Sequence, residues 1–220
     1  PSFIPAHGAS GSPIPAIRSQ RDIEMAKLRI KTTWFRKDAG RAPDETASVL
    51  ALNFWKMANK AVDDISKADF DIVHLGRGFG LIAEMSAFMI HIADRLLYGR
   101  VDEERRAALI ESAGVRLAEY VEKNIQDFLN DDSDKRDYQG EFLDFLNRRT
   151  ADYETFEFPP EEPNYAIKRY LANVIRERME SQDQTWIIDQ VIEFQAPEAI
   201  ETVQKLIDGF FPKAEYPKEE

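Results

Sequence analysis

The sequence predicts an all-α protein, a single-domain helical bundle of about seven or eight helices with an extended N-terminal arm. Apolar residues recur at three-, four- and seven-residue spacing from about Ser19 to Phe210, the period of helices that each bury one face. Prolines cluster in a few short stretches, chiefly near the ends of the chain and at 159–163, and only one segment has strand-like composition. No internal repeat of solenoid length divides the chain.

Residues 1–17 hold Pro1, Pro5, Pro13 and Pro15 with Gly8 and Gly11, a composition that predicts an extended arm. Residues 18–211 then form the helical domain. Segment 19–36 places Ile23, Ala26, Ile30 and Trp34 on one face, and segment 44–66 aligns Leu50, Phe54, Met57, Ala61 and Ile65. Segment 70–98 is the most apolar. In segment 102–129, Asp102 is suited to cap the first turn and Glu103 and Glu104 favour its positive end. The predicted core stripe of that segment is Ile110, Ala113, Leu117, Val121 and Phe128.

After the polar run NDDSDKRD, segment 138–150 turns Phe142, Phe145 and Leu146 inward, and the loop YETFEFPPEEPN follows. Segment 164–181 carries the stripe Ile167, Tyr170, Leu171, Val174, Ile175 and Met179. WIIDQVIEF (186–194) is rich enough in β-branched residues to suit a strand. With no partner strand, and with Ile188, Val191 and Ile192 at helical spacing, it is read as helix. Pro197 then opens a last helix that turns Ile200, Val203, Ile207 and Phe210 inward, and residues 212–220 form an acidic tail.

The 220 residues include no cysteine, which excludes disulfides, thiolate metal sites and cysteine nucleophiles. The longest uncharged apolar run, Met85 to Ala93, falls far short of the roughly 20 residues of a membrane-spanning helix. The N-terminal stretch lacks the basic region of a signal peptide, and these features together predict a soluble, cytoplasmic protein. The net charge of −11 is unevenly spread: residues 1–100 carry +3 and residues 101–220 carry −14. Such an acidic half opposes the phosphate neutralisation that dominates nucleic-acid binding and suits a basic protein partner. The broad apolar surface over so many helices also leaves room for a homo-oligomer.

Four stretches contain residue types capable of chemistry. In EMSAFMIHIADRLLY (84–98), Met85, Phe88, Met89, Ile92 and Leu96 form one apolar face, and Ser86, Ile90, Ala93 and Leu97 a flank. The polar groups gather on the remainder, where Arg77, Glu84, His91 and Tyr98 recur every seven residues with Arg95 beside them. That row would line a ligand pocket or form the wet face of a packed helix. Glu84 and His91 lie about 10 Å apart along such a helix, too far to share an ion, whereas His91 and Asp94 are close enough to share one. No Glu-x-x-His motif of a di-metal bundle occurs.

HLGRGFG (74–80) holds Gly76, Gly78 and Gly80 but lacks a preceding strand and a P-loop lysine, so close helix packing or a bend explains it better than phosphate binding. NDDSDKRDYQGE (130–141) puts Asn130, Asp132, Asp134 and Glu141 at the ligand positions of a calcium loop. However, Lys135 stands where the turn needs glycine and Asp137 where an apolar residue is usual. The fourth stretch, 18–41, is basic and amphipathic, with eight Lys/Arg against three acids, suited to a partner, to an acidic surface of the same chain or to an anionic membrane.

No nucleophile-elbow, zinc-protease or kinase signature is present, and no cofactor is indicated. The expectation is a helical protein–protein interaction module acting as an adaptor, regulator or assembly factor. The alternative is a helical enzyme or small-ligand-binding or metal-binding protein whose pocket is lined by Arg77, Glu84, His91, Arg95 and Tyr98.

Overall fold

In a computed structural model, residues 43–68, 70, 75–129, 135–158 and 165–212 are described. They are predominantly helical, and the only β-type pairing among them is an isolated bridge between Tyr98 and Val101. The elements are α1 (Pro43–Lys67), α2 (Leu75–Leu97), α3 (Glu103–Leu129), α4 (Tyr138–Tyr153), α5 (Tyr165–Arg176) and α6 (Ile187–Gln190). A π-helical turn (Val191–Gln195) joins α6 directly to α7 (Ala196–Phe210). With Ile187 to Phe210 taken as one continuous rod, six helices lie among the described residues. The N-terminal arm, the basic segment 18–41, His74, Asn130, Asp132 and Asp134 lie outside them.

Helix α2 is the axis of the bundle, packing against α1, α3, α4, α5 and α7. Its sequence suits that position. Both the predicted face (Met85, Phe88, Met89, Ile92, Leu96) and the flank (Ile90, Ala93, Leu97) are buried, as a helix with neighbours on every side requires. Gly99 ends it with a left-handed φ of 75°, which non-glycine residues adopt only at a cost, and Arg100 and Val101 return N–H bonds to the Leu97 carbonyl. Asp102 then caps α3 through a 2.8 Å bond to the Arg105 N–H, and Asp137 caps α4 through a 2.9 Å bond to the Gly140 N–H. Arg100 reaches Asp208 at 2.5 Å and the Phe211 carbonyl at 3.0 Å, tying the α2–α3 turn to the end of α7.

The predicted stripe of α1 is wholly buried, as are Ala113, Leu117 and Val121 of α3. Phe128 is a correction: it is 64% exposed, on the last turn of the longest helix. Helical spacing marks which face a residue shares but says nothing of where the neighbouring helices stop. Segment 164–181 also ends early, at Arg176, because residues 177–186 leave the helix in turns that carry Arg178 and Glu180 to α2. Met179 is nevertheless buried within those turns.

Segment 186–194 is helical, and Pro197 stands in the first turn of α7 as expected, although the π turn joins that helix to α6 without a break. A proline ring clashes with the carbonyl four residues before it in an unbroken α-helix. The π turn immediately before Pro197 widens the coil there, so the rod continues through the proline. No described helix is long and apolar enough to cross a membrane.

Phe88→Ala and Leu117→Ala, both fully buried, are expected to lower unfolding stability by about 3 kcal/mol each, whereas Phe128→Ala should stay within about 0.5 kcal/mol. Urea titrations of the three variants give the comparison, and equal losses at all three would contradict this packing.

Candidate functional site

The polar row of α2 meets different surroundings at each level. Glu84 is completely buried, and two arginines from other elements close on it. Arg149, in the last turns of α4, donates from Nε to Oε2 at 2.7 Å and from Nη2 to Oε1 at 2.8 Å, a bidentate pair. Arg178, beyond the end of α5, donates from Nε and Nη2 to Oε1 at 2.9 and 2.7 Å. Both guanidiniums lie over the Phe145 ring, 5.5 and 5.6 Å from its centre.

One turn before Glu84, Gly80 makes room for this arrangement, since a β-carbon there would stand 2.8 Å from Arg178 Nη1. The small-residue reading of HLGRGFG therefore has a physical basis at Gly80. At Gly76 a β-carbon would meet nothing within 4 Å.

Arg149 extends the network outward. Its Nη1 donates to the Tyr170 hydroxyl at 2.6 Å and to Asp152 at 3.0 Å, and the Tyr170 hydroxyl donates to Asp152 at 2.7 Å. Burial is the largest influence on Arg149 and opposes its charge. The bonds and charge of Glu84, aided by Tyr170, outweigh it and hold Arg149 above the ordinary arginine value. Burial, together with the bond to Asp152, pushes the Tyr170 hydroxyl up to about 12.

His91 meets no charge of this network directly. Its ring stacks on Tyr153 at 5.2 Å between centroids, with Phe158 edge-on at 6.2 Å. Tyr153 in turn contacts Phe88 and Tyr170 at 5.8 and 5.0 Å. Burial, and then the Arg95 charge, lower the His91 pKa to about 4 against a smaller opposing pull from Asp94, so the ring is neutral at pH 7. Among the described residues, its Nε2, the Tyr153 hydroxyl and the Ser86 hydroxyl have no hydrogen-bond partner.

The other members of the row go elsewhere. Arg77 donates to the Arg178 carbonyl at 3.1 Å and to the Glu180 carboxylate. Arg95 pairs with Asp94 at 2.5 Å, and Arg106 binds Asp94 and Glu103, joining the end of α2 to the start of α3. Tyr98 is exposed, with the Arg106 guanidinium over its ring. Arg77 and Glu84 thus both reach Arg178, whereas His91, Arg95 and Tyr98 meet other partners.

Asp94 is engaged by two arginines and His91 by aromatic rings, and no group of three His, Asp or Glu residues suited to a metal lies among the described residues. Of the four candidate ligands of the calcium-like loop only Glu141 is described, and it pairs with Arg136 through two bonds of 2.8 Å.

The residues that close on Glu84 left uneven traces in the sequence. Arg149 falls on the buried stripe of α4, in line with Phe142, Phe145, Leu146 and Tyr153, so a cation within an apolar stripe was its signal. Arg178 lies in a turn, where no periodicity marks it. No protein-family model matches this chain, and neither a curated protein nor a solved structure is significantly similar to it.

Glu84→Gln removes the buried charge on which both guanidiniums converge, leaving Arg149 only Asp152, and is expected to cost about 3 kcal/mol. Lys60→Ala, which breaks the exposed pairs with Asp64 and Glu198, should cost about 0.5 kcal/mol. Similar losses in chemical denaturation would show that the Glu84 pairs carry no special weight.

The His91 shift gives a pH dependence. Between the unfolded value of 6.5 and the native value of about 4, the unfolded chain binds a proton that the native chain does not. Stability from His91 is therefore complete above pH 6.5 and falls by up to about 3 kcal/mol as pH drops toward 4. His91→Phe should flatten stability across that window, and an unchanged slope would mean the ring is not held neutral.

Proposed function

We propose that this chain is a helical protein–protein interaction module. The observation that carries the reading is the exposure of large aromatic side chains on the described surface, above all Trp186 at 69% and Phe194 at 61%. Holding two such rings in water forfeits several kcal/mol of burial, which suits a surface that is covered when a partner is bound.

The ionisable groups nearest the centre support the same reading over a ligand pocket. Glu84 is saturated by Arg149 and Arg178, and Arg77, Arg95 and Asp94 are in ion pairs. These groups serve to hold helices together. Trp186 and Phe194 make no ring or cation–π contact among the described residues.

A photo-crosslinking amino acid placed at Phe128, Trp186 or Phe194 tests the proposal in the cells that produce the protein. Adducts of defined mass are expected at one or more of these positions, with exposed Arg169 and Glu201 as surface controls. Equal labelling at the controls, or no adduct at any aromatic position, would remove the interaction reading.

A further inference from the structure

The exposed large apolar side chains are not equivalent. Tyr98 has a guanidinium over its ring, while Phe128, Leu129 and Tyr165 border segments outside the described residues. Trp186 and Phe194 have described chain on both sides, and the π turn between them affects their alignment. In an unbroken α-helix, eight residues at ~100° each would set them about 80° apart. A π turn advances each residue by only ~82°, which brings the two helix positions to within about 30° of each other, roughly 11 Å apart along the axis, with Trp186 on the residue that leads into α6. Gln190 falls in the same row.

Asp189 and Glu193 form a second row beside it, about 60–75° round the helix and further from the core. Both are exposed, and neither has an ion pair among the described residues. Buried Ile187, Val191 and Gln195 hold the opposite side of the rod against the bundle.

Resting on the interaction reading above, we infer that the Trp186–Phe194 face docks an amphipathic helix of another protein, basic along one edge. The spacing of the rings equals about two turns, so they match apolar side chains seven residues apart on such a helix. The unpaired carboxylates are placed to meet lysine or arginine side chains flanking that apolar row. A second copy of this face would bring the same two carboxylates toward their own kind. Charge complementarity therefore favours a basic partner over self-association.

The probe is a fluorescent leucine–lysine peptide with leucines at heptad spacing, titrated against the full chain by anisotropy. Trp186→Ala with Phe194→Ala should weaken binding by about tenfold or more. Asp189→Asn with Glu193→Gln should weaken it less and reduce its salt dependence. Asp63→Asn with Asp127→Asn, which removes equal charge elsewhere, should leave the affinity within about twofold.

All of these side chains are exposed, and circular dichroism is the check that the variants fold. Equal binding by wild type and the aromatic variant would overturn the inference, since the peptide would then be responding only to overall charge. A concentration-dependent dimer abolished by the aromatic variant would also overturn it, in favour of a second copy. Failure of the peptide while crosslinks persist at Trp186 or Phe194 removes the basic-helix partner and leaves the interaction module standing.

Discussion

The arrangement of this bundle depends on a carboxylate taken fully out of water. Glu84 sits on the helix that touches almost every other, where an uncompensated charge would cost several kcal/mol. Only a narrow set of geometries relieves that cost. Arg149 must come from α4 and Arg178 from the turns after α5, with Gly80 leaving space for the second guanidinium. Hydrophobic burial is indifferent to small slides of one helix past another. Forked hydrogen bonds to one carboxylate are not, so the clasp sets a register that the apolar stripes leave loose.

The same constraint organises the aromatic layer around it. Phe145 underlies both guanidiniums, Tyr170 receives a bond from Arg149, and Tyr153 carries contacts onward to His91 and Phe88. The polar residues of α2 thus act in structurally distinct ways. Glu84 recruits cations, His91 behaves as a flat neutral ring, and Asp94 joins α2 to α3 through Arg106. At the other end of the chain, Pro197 has a comparable local effect. It stands two residues beyond the π turn that joins α6 to α7, so the rod passes the proline without a break.

Much of the fold was legible residue by residue. Leu50, Phe54, Met57, Ala61 and Ile65 form the buried face of α1 because an isolated helix already defines which residues share a side. Asp102 could be recognised as a cap because that bond is made within three residues. Phe128 was misplaced because its burial depends on whether a neighbour extends that far. The early end of α5 was missed because the side chains that draw Arg178 and Glu180 away belong to α2. The candidate site was half legible: the row on α2 could be read from spacing, but Arg149 and Arg178 lie 65 and 94 residues away in sequence.

By itself the sequence determined the helical character, the helix faces and their caps, since these follow from backbone periodicity and bonds among near neighbours. Only the tertiary structure decided that α2 is surrounded, that its polar row is divided among separate partners, and that Trp186 and Phe194 remain uncovered. Each of these depends on which distant side chains arrive at a given surface, and helical periodicity carries no information about a surface's neighbours.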